Sequence, residues 1–147
     1  MLRSVVDIPV VERVGVRYLN RIVDQDVMVR LDELVKPEVL GYQALVPADA
    51  TEVGLVQAIN QVEYNVGGGT LQVRSGVLAP GQTVDPSVAP VSGPSWILDL
   101  DASAQVDSRF DIDDALERAG RLSDTAYDLF KFVIKNGFVE HFGRREE

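Results

Sequence analysis

From Val14 to Ile22 the side chains alternate with a period of two. Val14, Val16, Tyr18 and Ile22 are apolar, with Asn20 among them. Arg13, Arg17 and Arg21 fall on the opposite parity, with Gly15 and Leu19 between them. Successive side chains leave opposite faces of a strand, so this pattern predicts a strand over Val10 to Val23 with one core face and one basic row. Residues 1 to 9 read as a lead-in that ends at Pro9. Asp24-Gln25-Asp26 is a polar turn, and Leu31, Leu34 and Val35 suggest a short helix over Val29 to Val35. Pro37 ends it, because the residue before a proline avoids the helical region. Glu38 to Ala50 reads as irregular, with Pro47 and Asp49 at a turn.

Thr51 to Tyr64 satisfies two periods. As a helix it offers Leu55, Ile59 and Val62 as a stripe. As a strand it puts Val53, Leu55 and Ile59 on one face and Val62 and Tyr64 on the other, which requires a bulge near Asn60. The glycine-rich Val66-Gly67-Gly68-Gly69 and the alternation of Thr70 to Leu78 favour a hairpin, and hence the strand. Four prolines and two glycines between Ala79 and Pro94 predict a long surface loop, functional or mobile. Ser95 to Ser103 is the next strand, with Trp96, Leu98, Leu100 and Ala102 pointing one way and Ile97, Asp99 and Asp101 the other. Phe110 to Asn136 is a long amphipathic helix. Asp111 is its N-cap, Gly137 its C-cap, and Gly120 and Ser123 mark a place where it could kink. The tail from His141 to Glu147 is polar and reads as frayed.

This order of elements predicts a single α+β domain over residues 1–147. A mostly antiparallel sheet of about four strands carries the long C-terminal helix on one face. Its expected core includes Tyr18, Trp96, Leu98, Leu116, Leu129, Phe130 and Val133.

Composition narrows the partners. A net charge of −9 argues against general affinity for nucleic acid and for anionic membranes. No stretch reaches the roughly 18 apolar residues of a spanning helix, and the N-terminus lacks the apolar run of a signal peptide. With no cysteine in the chain, disulfides and thiolate metal sites are absent, which fits a cytoplasmic bacterial protein. No cofactor or metal is expected.

Candidate chemistry is sparse. Asp99-Leu-Asp101 after an apolar strand is how haloacid-dehalogenase-like phosphotransferases present a nucleophilic aspartate and a magnesium site. Here it lies in the last third of the chain without the later motifs that fold needs. A calcium loop starting at Asp99 would place Ala104 where glycine is required and Phe110 where a glutamate belongs. The triple glycine lacks the lysine of a phosphate loop, and His141 is the sole histidine. The arginine row remains. Arg13, Arg17 and Arg21, with Tyr18 and Asn20 nearby, could bind a small anion. The chain's surplus of acids favours instead a cross-strand ion-pair ladder with Asp99 and Asp101. Asn20, on the apolar face, needs hydrogen-bond partners wherever it is buried.

Val14-Gly-Val-Arg-Tyr-Leu-Asn-Arg-Ile22 resembles the Gly-Leu-Arg-Tyr-(Ile/Val)-Asn-Arg-Ile strand of a sporadically distributed family of uncharacterised prokaryotic proteins. Ile97-Leu-Asp-Leu-Asp101, an acidic spacer and a helix containing Asp128-Leu-Phe-Lys-Phe-Val look like that family's C-terminal portion. The chain lacks the helical histidine usual before the aromatic segment, and lacks the family's preceding half, so it looks like the C-terminal domain alone. The resemblance implies a strand at Thr51 to Tyr64 and brings no reaction with it. The expectation is a non-catalytic binding or interaction module, acting as a homodimer or with another protein. The alternative is a small anionic-ligand-binding domain or enzyme that uses the Arg13/Arg17/Arg21 face. A ligand site should be a pocket lined by Arg17, Asn20 or Tyr18; an interaction module should show a flat sheet edge or apolar patch.

Overall fold

A computed structural model describes residues 11–45, 52–109 and 111–143. The lead-in to Pro9, the turn at Pro47 and Asp49, and the proposed helix start at Phe110 lie outside these residues, as does the end of the tail. Strand β1 spans Val11–Ile22 and is followed by two single-turn helices, α1 (Gln25–Met28) and α2 (Leu31–Leu34). Two 3-10 turns come next, Pro37–Val39 and Gly41–Leu45. Strands β2 (Ala58–Val66), β3 (Gly69–Leu78) and β4 (Ser95–Ser108) lead to helix α3 (Ile112–Val133) and a short α4 (Asn136–Phe142). The strands form one antiparallel sheet in the order β1-β4-β3-β2, so the last strand is central and β1 and β2 are its edges. The expected α+β architecture is present, with α3 packed on β1 and β4.

The two faces of the sheet follow the alternation. Val14, Val16, Tyr18, Leu71, Val73, Val77, Trp96, Leu98 and Leu100 line the helix face and meet α3 and the α1–α2 segment in the main core. The C-terminal ends of α2 and α3 are laced together. The Lys36 amide donates to the Val133 carbonyl and the Lys135 amide to the Leu34 carbonyl, both at 2.8 Å. These bonds end α3 at Ile134 in extended backbone, so Gly137 is not its C-cap. It lies in α4, where a Cβ would come within 2.7 Å of the Glu33 carbonyl oxygen. Asp111 caps α3 as expected, accepting from the amides of Asp113 and Asp114. The helix is continuous through Gly120 and Ser123.

Two further readings of the pattern, besides the C-cap, need correction. Leu116 is 65% exposed, not buried, whereas Trp96, Leu98 and Val133 are buried and Tyr18, Leu129 and Phe130 are half-buried against the core. With 3.6 residues per turn, the buried residues of α3, Leu122, Ala126 and Val133, share one direction, and Leu116 lies about 100° around from it. The second correction concerns β2. Its pairing with β3 is unbroken from Ala58 to Val66, so there is no bulge at Asn60. Residues 53–57 precede the strand, and within it Ile59 simply leaves the face opposite to Val62 and Tyr64, across from Gly76 rather than from Val73 and Leu71. The hairpin closes through Gly67 and Gly68, both at positive φ, as a two-residue turn that matches strand twist requires.

Candidate functional site

The other face of the sheet carries the arginine row, and the alternation places it there together with Arg74 of β3 and Asp99 of β4. Asp99 is only 1% exposed, although the pattern alone would put it in solvent. It is covered by the loop between β3 and β4. That loop is held by its own hydrogen bonds, among them Gly81 amide to Val91 carbonyl at 2.8 Å. Val88 of the loop is buried, as are Leu78 and Ile97 of the strands on this side. The loop thus covers one end of the face.

Charges are matched beneath it. Arg17 donates through Nε to Asp99 Oδ1 at 2.7 Å and through Nη2 to Oδ2 at 2.8 Å. Arg74 reaches the same Oδ2 from the other side through Nε at 3.0 Å and Nη2 at 2.6 Å. Both guanidinium groups also hold Asp85 of the loop, at 2.8 Å and 2.6 Å. Asp85-Pro86-Ser87 forms an Asx-type turn in which the Ser87 amide donates to Asp85 Oδ1 at 2.9 Å. The Ser87 hydroxyl accepts the remaining Arg17 Nη1 at 2.6 Å. Arg21 donates to the Ala89 carbonyl and so ties down the far end of the loop.

The electrostatics follow from these contacts. Asp85 is held well below the usual carboxylate range, first by the Ser87 hydroxyl and then by Arg74 and Arg17. Arg17 is pushed upward, chiefly by its bond to Asp99. For Arg74 burial works against the charge, but the bonds to Asp85 and Asp99 outweigh it and the net shift is upward. Both oxygens of Asp99 are taken by guanidinium donors and the residue is buried beneath the loop, so an incoming phosphoryl group has no line of approach, which removes the physical basis of the Asp-x-Asp reading.

The predicted site residues therefore separate. Arg13, Arg17 and Arg21 share the loop-covered face, where Arg17 and Asp99 do form part of an ion-pair ladder. Tyr18 and Asn20 lie on the helix face, and Tyr18 is bonded through its hydroxyl to Ser123 of α3. One pocket cannot be lined by both sets. Arg13 stands apart: it reaches Asp101 at 3.4 Å, its side chain is half exposed, and it lines a hollow of about 210 Å³ with Glu63, Thr70, Gln72, Asp101 and Ser103. An adjoining hollow of about 320 Å³ is lined by Asn65, Gly68, Gly69, Thr70, Ser103 and Gln105. Arg74, Asp85 and Ser87 join the site although no sequence motif marks them. Their signal was the parity of Arg74 in β3 and the Asp-Pro-Ser turn. Among the described residues, no group of acids and histidine is placed to hold a metal ion, and no helix is long and apolar enough to cross a membrane.

Scans of family models, curated proteins and solved structures return no match to this chain. Beyond the two faces, the sheet also presents its edges. Strand β2 is an edge strand of nine residues, paired on one side only among the described residues. Its two-residue turn makes Val66 and Gly69 a hydrogen-bonded pair. By alternation the main-chain groups of Ile59, Gln61, Glu63 and Asn65 point away from β3, toward the open side.

Proposed function

We propose that this chain is a non-catalytic interaction module that binds a β-strand of a partner, including another copy of itself, along the open edge of β2. The observation that carries this reading is the length and bareness of that edge. It has nine residues without proline or bulge, Glu63 as its one charge, and Val62 and Tyr64 at 45% and 48% exposure. Edge strands usually carry charge, proline or a bulge that discourages further pairing. Strand addition supplies main-chain hydrogen bonds for affinity and alternate side chains for specificity. The absence of cysteine supports a cytoplasmic setting, and the likeness of Val14 to Ile22 to the prokaryotic family's strand motif belongs to the same reading.

The test is a photo-reactive residue placed at Gln61, with Leu19 on β1 as control. Covalent adducts at Gln61 alone are expected, and adducts at neither position would contradict the proposal.

A second reading, a small anionic ligand, is favoured by the loose pairing of Arg13 beside the 210 Å³ hollow. Glu63 and Asp101 line the same hollow and oppose it. A thermal-shift screen of anionic metabolites decides: stabilisation lost in Arg13→Gln would support this reading, and no stabilisation is expected.

A further inference from the structure

Resting on the reading of β2 as a docking edge, we infer that its occupant is β2 of a second copy, paired antiparallel about a two-fold axis at Val62. The strand runs from Ala58 to Val66, and Val62 is its midpoint. A two-fold axis normal to an antiparallel sheet passes through a residue facing its own copy. Only with Val62 at that place do all nine residues find a partner. Ala58 then faces the partner's Val66, Asn60 the partner's Tyr64, and Gln61 the partner's Glu63.

This register also agrees with the main chain. The outward groups of Ile59, Gln61, Glu63 and Asn65 meet one another as hydrogen-bonded pairs. Val62 falls in a non-hydrogen-bonded pair, where facing side chains come closest. Neighbouring registers are worse. With Glu63 on the axis two carboxylates oppose each other, and like charges directly across a pair destabilise it. With Gln61 on the axis, Glu63 faces the partner's Ile59 and Val66 loses its partner.

The surroundings of the strand fit the same occupant. The 3-10 turn Gly41–Leu45 crosses β2 at Asn60, so closely that a Cβ on Gly41 would lie 2.2 Å from the Asn60 amide nitrogen. This turn leaves Tyr42 and Leu45 exposed. The proposed register brings the partner's Tyr64 to Asn60, the position this turn crosses. Each copy thus offers exposed apolar side chains at both ends of one isologous interface, as a two-fold contact requires.

The experiment uses the natural absence of cysteine. Light scattering of the full chain at micromolar concentration should give twice 16.1 kDa. In air-oxidised Val62→Cys, most of the protein should run as a disulfide dimer. A non-hydrogen-bonded pair sets Cα atoms about 4.5 Å apart, within the range a disulfide spans. Tyr64→Cys alone should stay monomeric on a denaturing gel, because self-facing copies there are about 13 Å apart along the strand. The double variant Asn60→Cys/Tyr64→Cys should cross-link. Val62 and Tyr64 are half exposed, and circular dichroism confirms that the variants fold. A mass of 16.1 kDa at every concentration overturns the inference. So does a dimer in which Tyr64→Cys cross-links and Val62→Cys does not. The docking reading fails separately, if the photo-reactive residue at Gln61 labels no strand of any protein.

Discussion

β1 and β2 both border the sheet, but only β1 carries charge along its length. Three arginines project from it. Arg17 and Arg21 are fastened to the loop that folds over that face, and the pairing of β1 with β4 shifts register between Val11 and Arg13. β2 has one charge, an unbroken register and no loop of this kind fastened to it among the described residues. Charge, irregular register and cover are three ways in which proteins discourage pairing at an edge. All three meet at β1, whereas β2 has a single charge and is crossed only at Asn60 by the Gly41–Leu45 turn, which teaches where the described residues close the sheet and where they leave it open. The arginine row, which the sequence leaves as an anion site or an ion-pair ladder, is largely internal structure.

The largest expected effect breaks the closed side. Asp99→Ala removes the carboxylate shared by Arg17 and Arg74, leaving two guanidiniums at the sheet with Asp85 alone between them. Breaking a buried ion network costs about 3–5 kcal/mol, and the lower end is expected because both arginines keep some solvent contact. Denaturant unfolding measures it. A loss below about 1 kcal/mol would mean that the network contributes little to holding the loop.

A pH titration sharpens the same side. Asp85 has a lower pKa folded than unfolded, so its contribution is fully present above the unfolded value of about 3.9 and is lost as pH falls toward the folded one. The cluster should therefore add no pH dependence to the melting temperature between about pH 5 and 9. It should weaken, with the loop, only below about pH 4. A loop that opened near neutral pH, seen by proteolysis between Ala79 and Pro94, would break the account of the cluster.

The smallest effect is at the open end of the row. Arg13 is half exposed and its bond to Asp101 is long, so Arg13→Gln should change stability by less than about 0.5 kcal/mol. A larger loss would extend the closed side of the comparison to the whole length of β1.

The strands and the long helix could be read from the sequence because period-two alternation and an aspartate cap are local signals. Leu116 could not be placed, since an apolar residue one position past the centre of a stripe looks the same in sequence whether it is covered or bare. The boundary of β2 was obscured by Val53 and Leu55, whose parity belongs to the segment before the strand. Asp99 pairing with Arg17 was within reach as one of two readings of the row. The bridge through Arg74 and Asp85 was not, because it joins three elements separated by a loop whose path no local pattern dictates. The open edge could be read only once strand order placed β2 outermost.

Amide hydrogen exchange of Ile59, Gln61, Glu63 and Asn65, followed as protein concentration is raised, tests the docking edge most directly. These four outward amides should exchange readily in dilute solution and become protected at concentrations where light scattering shows association, while β1 amides stay unchanged. Protection that is already complete at dilution, or exchange that stays fast at every concentration and with every added partner, would contradict it.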